Sequence, residues 1–160
     1  MVNAGFENIR PYDHEDLDKW ALSTHFGTND SYFNTVHKET NIRFGGGLDD
    51  VYENIETGEL YIVDYKSTAN LSKEPKPVSL EGKWKQGYKR QADMYVWIAR
   101  RRGLKVSDTA FFIYVDGLHK DIEEMIDNNN SDIDWMKFNT SVLPYKVNVE
   151  WVEDTLYKAK

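Results

Sequence analysis

Residues 45–68 read GGGLDDVYENIETGELYIVDYKST, and this stretch decides what kind of fold the chain adopts. Two runs rich in apolar, β-branched and aromatic residues flank ETGE at residues 56–59, a sequence typical of a tight turn. The pattern predicts a β-hairpin with strands over about residues 48–55 and 60–67. Its unusual feature is charge at one end, where two adjacent acids open the first strand and Asp64-Tyr65-Lys66 closes the second.

Strand geometry predicts which of these charged side chains share a face of the hairpin. Side chains alternate between the two faces, so Asp64 and Lys66 point the same way. If ETGE forms the turn, Val51 lies opposite Asp64 and Asp49 lies opposite Lys66, which places Asp49 on that same face. Asp50 then points to the other face, whereas a three-residue loop would reverse the choice and favour Asp50.

Two carboxylates that converge on one point repel each other unless a cation neutralises them. Mg²⁺ prefers oxygen ligands of this kind and keeps several waters, and a bound metal ion can polarise a phosphate and activate water. A neighbouring lysine can position or deprotonate water and offset phosphate charge. The alternative is an exposed cross-strand ion pair, worth less than about 1 kcal/mol and without catalytic function.

The remaining segments predict a mixed α/β domain. The clearest helix spans about residues 84–102, is free of proline and ends at Gly103. Residues 108–116 (DTAFFIYVD) are almost continuously apolar, so we expect this strand at the centre of the sheet. The glycines at residues 45–47 predict a close approach of backbone. Weaker patterns predict helices over about 14–24 and 149–158, strands over 41–44 and 135–143, a loop over 69–82, and a loop over 26–40 with room for a short strand.

The composition describes a folded chain with one basic segment. Of the 160 residues 40% are hydrophobic and 14% aromatic, no apolar run is long enough to span a membrane, and cysteine is absent. The lack of cysteine excludes disulfides, thiolate zinc sites and iron–sulfur clusters within this chain, and fits a cytoplasmic location. The net charge is −7, yet residues 83–105 contain eight basic side chains and one acid. This window carries +7 against −14 elsewhere, so the long helix suits a nucleic-acid partner.

Three motifs occur in order along the chain: GGLD at residues 46–49, VDYK at residues 63–66, and Q-x-x-x-Y from Gln91 to Tyr95 on the long helix. Together they resemble the PD-(D/E)XK nuclease superfamily, and most closely its RecB-like branch, which includes the CRISPR-associated RecB-like exonucleases. The resemblance implies an α/β fold with a restriction-endonuclease-like core, in which helices flank a mixed central sheet in the order αβββαβ.

The resemblance also implies a role for each matching residue of the hairpin. Asp49 and Asp64 would bind Mg²⁺ or Mn²⁺, and the main-chain carbonyl of Tyr65 would be a further ligand. Lys66 would orient or activate the water that attacks a phosphodiester bond of DNA.

On the helix, Gln91 and Tyr95 would lie close to the site, where they contact DNA or hold the lysine. Lys89 and Arg90 are the other residues expected to bind DNA. The same spacing also fits an ordinary core-facing stripe with one hydrogen-bonded glutamine. The arginines at residues 100–102 complement the helix dipole at a C-terminus whatever the function.

Two departures from the family pattern concern the metal site and the length of the chain. The RecB-like branch often adds an upstream histidine or glutamate as a metal ligand, and the sequence singles out none of its candidates: His14, Glu15, His25, His37 and Glu39. Many members also hold an iron–sulfur cluster through cysteines that this chain lacks. We therefore expect a single nuclease-like domain over residues 1–160, either from a cluster-free lineage or as a shortened piece of a longer protein.

The resulting hypothesis is a Mg²⁺- or Mn²⁺-dependent DNA nuclease, an exonuclease or endonuclease in DNA repair, recombination or phage- and CRISPR-related DNA processing. A helicase or another DNA-processing protein is the partner that such a role implies. Two alternatives stay open: a non-catalytic nucleic-acid-binding or assembly module with the same fold, and a resolvase or restriction-type endonuclease of the same superfamily.

Overall fold

The computed structural model describes residues 7–21, 33–70, 76–118, 125–130 and 132–160. Its strands are β1 (Ile9–Pro11), β2 (Phe33–His37), β3 (Ile42–Gly46), β4 (Asp50–Asn54), β5 (Leu60–Asn70), β6 (Thr109–Leu118) and β7 (Phe138–Lys146), and its helices are α1 (Leu17–Ala21), α2 (Gln86–Arg101) and α3 (Glu150–Lys158). Five strands form one sheet in the spatial order β1-β4-β5-β6-β7, and β2 pairs with β3 in a second sheet. No helix of the described ranges is long and apolar enough to cross a membrane.

The five-stranded sheet is mixed because the connection between β5 and β6 crosses over through α2. β4 and β5 form an antiparallel hairpin, β6 runs parallel to β5, and β7 runs antiparallel to β6. Alternate side chains of β6 are buried on both faces of the sheet: Ala110, Phe112 and Tyr114 in the core under α2, and Phe111 and Ile113 in a smaller cluster on the other face. This burial on two sides explains the continuous apolar run in the sequence of β6.

The larger core lies between the sheet and the three described helices. Trp20 of α1 and Val152 and Leu156 of α3 join the buried residues of α2 there. A 3-10 turn at Lys83–Lys85 precedes α2. After α2, Gly103 has φ of 84°, a left-handed conformation that glycine adopts readily just past a helix end.

The buried acid Asp93 connects α2 to the two elements that follow β6. One oxygen of its carboxylate accepts hydrogen bonds from the Tyr145 hydroxyl at 3.0 Å and the Asn148 N–H at 2.9 Å. The other accepts from the Trp151 indole at 2.8 Å. Burial raises the pKa of Tyr145 to about 12, and the Asp93 carboxylate contributes to this rise. Asp93 therefore ties β7 and the start of α3 to the central helix.

Glycine is required where β3 passes β2. A Cβ atom at Gly45 would lie 2.4 Å from the Cβ of Asn34 and 2.5 Å from the carbonyl oxygen of Phe33, distances that no side chain tolerates. The close approach of backbone that the glycine run predicts is therefore confirmed.

The predicted α/β fold with a mixed sheet flanked by helices is confirmed, with corrections to single elements. β1 was not predicted, and β2 lies in the segment predicted to be mainly loop. α1 covers only part of the helix predicted over residues 14–24, and residues 22–24 lie outside the described ranges. β7 begins at Phe138 rather than near residue 135, because Trp135 bonds to Met125 and Asp127 instead.

The basic segment is not one free surface. Its three arginines at the C-terminal end of α2 make intramolecular contacts, Arg100 with Asp108 at 2.6 Å, Arg101 with Glu153 at 3.2 Å, and Arg102 with the rings of Trp20 and Phe33. These contacts favour the structural interpretation of that cluster.

Replacing Asp93 by alanine should destabilise the protein by about 3 kcal/mol, because three hydrogen-bond donors lose an ionised acceptor. Urea denaturation followed by circular dichroism measures this change in the free energy of unfolding. Asp154→Ala on the exposed side of α3 is a matched control and should change it by less than about 0.5 kcal/mol. Equal losses in the two variants would contradict the role of Asp93.

Candidate active site

The charged end of the β4–β5 hairpin brings two carboxylates together. The strands pair Glu53 with Leu60 and Asp50 with Val63, so the next position sets Asp49 opposite Asp64. The sequence prediction of Asp49 opposite Lys66 is wrong by two residues. Since a shift of two residues keeps every side chain on its predicted face, Asp49 still lies on the face of Asp64.

The register differs from the prediction because Asn54 widens the turn. Its side-chain carbonyl accepts hydrogen bonds from the Glu56 and Thr57 N–H groups, at 3.0 and 3.1 Å. Its own N–H donates to the Glu59 carbonyl at 2.8 Å. Asn54 thus acts as part of the turn as well as the end of β4, and Leu60 pairs with Glu53, two residues further from ETGE on the β4 side than predicted.

Asp49 takes the place of a strand partner for β5. The chain leaves the sheet at Leu48, whose N–H donates to the Trp20 carbonyl at 2.9 Å. The Tyr65 N–H donates instead to the Asp49 carboxylate at 2.9 Å. Because the N–H and C=O of one residue point to the same edge of an antiparallel strand, the Tyr65 carbonyl is directed to the same place.

The neighbouring acid Asp50 belongs to the opposite face. Its carboxylate accepts hydrogen bonds from the Val51 N–H and the Tyr65 hydroxyl, both at 2.8 Å. Burial raises the pKa of that tyrosine, with the Tyr52 hydroxyl and Asp50 adding to the effect. Asp50 is therefore satisfied by local partners and is not directed at Asp64.

Asp64 is 5% exposed and contacts Lys66 on its own strand. Burial raises the pKa of Asp64, Lys66 opposes this rise, and the charge of Asp49 adds to it. The Lys66 ammonium forms an ion pair with the buried Oδ2 atom of this carboxylate, and no other described residue donates a hydrogen bond to that oxygen. The Lys66 ammonium also lies 4.8 Å from the centre of the Tyr88 ring on α2.

Gln91 and Tyr95 act on the backbone that leads to Asp49. The Gln91 amide donates to the Tyr95 hydroxyl at 3.1 Å, and this hydroxyl donates to the Gly47 carbonyl at 2.6 Å. A Cβ atom at Gly46 would lie 2.8 Å from the same hydroxyl. Burial raises the pKa of Tyr95, the Gln91 hydrogen bond lowers it, and Asp49 and Asp64 raise it further. The pair therefore supports the glycine segment, and the lysine is held by Tyr88 instead.

The two remaining residues predicted to bind DNA lie on the side of α2 that faces β7 and α3, where Lys89 is half-buried and Arg90 is exposed. The Lys89 ammonium is 3.9 Å from the Glu81 carboxylate and 6.0 Å from the Tyr145 ring centre. The Arg90 guanidinium is exposed and lies 5.6 Å from the Trp151 ring centre. Neither cation touches Asp49 or Asp64.

The upstream candidates do not complete the carboxylate pair. His14 accepts a hydrogen bond from the Asp16 N–H, and the buried His37 lies 2.7 Å from Glu153 and 2.8 Å from Thr40. Within the described ranges no group of three histidine, cysteine or acidic side chains could hold a metal ion. This applies to His14, Glu15, His37 and Glu39, whereas His25 lies outside those ranges.

The donors that are present nevertheless fit a hard divalent cation. Mg²⁺ commonly binds through one or two carboxylates, retains waters and takes further oxygens from a phosphate substrate. Asp49 and Asp64 supply two such carboxylates on one face of the hairpin, and the Tyr65 carbonyl lies on the strand edge that Asp49 occupies. Among the described residues, the buried Oδ2 of Asp64 has its ion pair with Lys66 and no hydrogen-bond donor.

Sequence reasoning missed the part played by Tyr88 and a polar group beyond Lys66. Tyr88 lies three positions before Gln91 and shares its face of the helix, which was the available signal for its contact with Lys66. Lys85, Tyr114 and Asp116 are buried along the same side of the sheet as Lys66. Polar residues within the apolar run of β6 were the available signal.

Comparison with known proteins agrees with this geometry. No curated protein and no solved structure matches the chain. The family model of the PD-(D/E)XK nuclease superfamily matches residues 3–143, which include the hairpin, α2 and β6. The mixed five-stranded sheet with its helices is consistent with the restriction-endonuclease-like core of that superfamily, whose members are generally metal-dependent nucleases. The chain therefore belongs to the PD-(D/E)XK nuclease superfamily.

Proposed function

We propose that the chain is a metal-dependent nuclease that hydrolyses phosphodiester bonds of DNA. The observation that carries this proposal is the convergence of Asp49 and Asp64 at the end of the β4–β5 hairpin, with Lys66 in contact with Asp64. Membership of the superfamily supports nuclease chemistry and a nucleic-acid substrate.

Each group of the hairpin end has a definable task in this reaction. Asp49, Asp64 and the Tyr65 carbonyl would hold Mg²⁺ or Mn²⁺, and the bound ion would polarise the scissile phosphate and activate water. Lys66 lies between Asp64 and the Tyr88 ring, where its ammonium can orient the attacking water and offset charge that develops on the phosphate. The water oxygen bonds to phosphorus while the bond to the leaving sugar oxygen breaks.

The helix would supply positioning and part of the DNA contact. Gln91 and Tyr95 hold the Gly47 carbonyl, two residues before Asp49, and so orient that carboxylate. Lys89 and Arg90 would contact phosphates of the DNA.

The Q-x-x-x-Y pair on α2 supports the RecB-like branch as the finer assignment. A role in DNA repair, recombination or phage- and CRISPR-related processing, with a helicase or another DNA-processing partner, rests on that resemblance alone. One nuclease domain over residues 1–160 and a cytoplasmic location also stay predictions from the sequence.

Cleavage of linear single- and double-stranded DNA with Mg²⁺ or Mn²⁺ tests the proposal. Asp49→Asn and Asp64→Asn should each lower the rate at least about 100-fold, because each removes an ionised ligand of the cation. Lys66→Ala should also lower it strongly. Asp50→Asn is the matched control, since it changes the adjacent acid on the opposite face, and it should leave most of the activity of folded protein.

The variants separate the possible failures. Cleavage that survives unchanged in Asp64→Asn and Lys66→Ala would come from a contaminant and would contradict the catalytic assignment. DNA binding by the parent without cleavage would favour the non-catalytic binding module instead.

Thermal unfolding gives a test that does not depend on catalysis. Because the pKa of Asp64 is raised, ionising this side chain lowers the stability of the folded protein. The loss of stability grows as the pH rises from 3.8, the ordinary pKa, to the raised pKa, and it is constant at higher pH. In EDTA near neutral pH, Asp64→Asn should therefore unfold at a higher temperature than the parent. The difference should shrink as the pH falls. Mn²⁺ should stabilise the parent and leave the variant unchanged, and a parent without a metal response would contradict the site.

Tyr95→Phe tests the positioning of Asp49. The variant loses the hydrogen bonds to Gly47 and Gln91 but keeps the ring in the core, so we expect a folded protein with metal affinity about 10- to 100-fold lower. Titration with Mn²⁺, followed by calorimetry, measures this affinity. Tyr157→Phe on the exposed face of α3 is the control. Unchanged affinity in Tyr95→Phe would limit the Q-x-x-x-Y pair to a packing role.

A further inference from the structure

A cavity of about 350 Å³ lies beside the proposed metal site. In the β5–β6 register, Lys66 pairs with Tyr114 and Thr68 with Asp116, so these side chains continue the face that carries Asp64. The cavity is lined by this end of the sheet and by the segment that precedes α2, including Thr68, Ser79, Trp84, Lys85, Tyr114 and Asp116.

The floor of the cavity contains polar atoms without partners. Asp116 is 5% exposed, and one of its carboxylate oxygens is buried and accepts no hydrogen bond from any described residue. The Tyr114 hydroxyl is also buried and forms no hydrogen bond with any described residue. A buried polar atom left without a hydrogen bond costs free energy, more so on a carboxylate. Such an acceptor at the wall of a cavity suits a ligand that brings its own hydrogen-bond donor.

Lys85 and Trp84 form the opposite side. The Lys85 ammonium is buried, donates to the Ser79 carbonyl and lies 4.8 Å from the Trp84 ring centre and 5.2 Å from that of Tyr114. Trp84 itself is 64% exposed and makes an edge contact with Tyr88, the ring that holds Lys66. A large aromatic surface therefore stands open between the cavity and the proposed catalytic lysine.

The chemistry of the lining selects among possible ligands. A metal ion would meet one carboxylate beside the Lys85 ammonium, and the described residues offer no group of three side chains for it. A phosphate would suit Lys85 but would be repelled by the Asp116 carboxylate. A nucleobase has N–H donors on its edge and a π face for an indole, and a cavity of this size is at the lower end of pockets for small ligands.

We propose that the cavity is a nucleobase subsite of the nuclease, in which one base of the bound DNA strand stacks on Trp84 and donates an N–H hydrogen bond to Asp116. The inference rests on the proposed function. Four residues of β5 separate Thr68 from Asp64, about 13 Å at about 3.3 Å per residue. At about 3.4 Å per stacked nucleotide, the bound base lies within about four nucleotides of the scissile phosphate.

An abasic scan of a single-stranded oligonucleotide tests the subsite. Binding is measured by fluorescence anisotropy with Ca²⁺, which takes the same oxygen ligands as Mg²⁺, for a series that lacks one base at each position in turn. For the parent, loss of the base at one position should weaken binding about 5- to 150-fold, the range for base–aromatic stacking. In Trp84→Ala the same loss should have no further effect.

Trp135→Ala is the matched control. Trp135 is 63% exposed, does not line the cavity and donates a hydrogen bond to Asp127. In Trp135→Ala, loss of the base at the sensitive position should therefore weaken binding as much as it does in the parent. Asp116→Asn keeps the shape of the side chain and tests the hydrogen bond. At the sensitive position the parent should prefer bases with an exocyclic amino group over thymine, because the N3–H of thymine lies between two carbonyl oxygens that a carboxylate repels. Asp116→Asn should reduce that preference at least about 5-fold while other positions stay unchanged.

The outcomes distinguish this inference from the proposed function. A scan that is identical in the parent and Trp84→Ala overturns the subsite, and Asp64-dependent cleavage in the same preparation would leave the nuclease function standing. An unchanged base preference in Asp116→Asn also overturns the hydrogen bond assigned to that carboxylate. A parent that binds no DNA overturns both proposals.

Discussion

The site depends on one hydrogen bond, the donation of the Tyr65 N–H to the Asp49 carboxylate. Pairing between β4 and β5 stops at Asp50 and Val63, while β5 continues alongside β6. On the edge of β5 that faces β4, the next N–H is that of Tyr65, which has no backbone partner there. The Asp49 side chain accepts its hydrogen bond instead. The same bond holds Asp49 beside Asp64, and the Tyr65 carbonyl points to the same edge of β5 as the Tyr65 N–H.

Helix α2 supports this arrangement from one side. Its buried Asp93 holds β7 and α3, its Tyr95 holds the Gly47 carbonyl, and its Tyr88 lies against Lys66. Burial raises the pKa of Asp64, and the charge of Asp49 raises it further. The folded protein therefore disfavours the ionised form of Asp64. A core of this size can hold such a pair in place, at a cost in stability that a bound cation would remove.

The sequence predicted the faces of the hairpin better than its register. Alternation along β4 and β5 separates Asp49 from Asp50, and any even shift of register preserves that separation. The register itself depends on how Asn54 bonds within the turn, and the ETGE segment alone does not indicate this. In the same way, helical spacing brings Gln91 and Tyr95 to one face, but their target, Gly47, lies 48 positions away from Tyr95 in the chain.

By itself, the sequence determined the α/β class, the internal position of β6, the C-terminal end of α2 and the face shared by Asp49, Asp64 and Lys66. These are local properties, because they follow from the periods of strands and helices and from glycine at particular positions. Only the tertiary structure decided that Asp49 faces Asp64 directly, that Tyr88 holds Lys66, and that one oxygen of Asp116 receives no hydrogen bond from the described residues in a cavity that Trp84 also lines. Each of these contacts joins residues from different elements, and their distances depend on how α2 and the loop before it pack on the sheet.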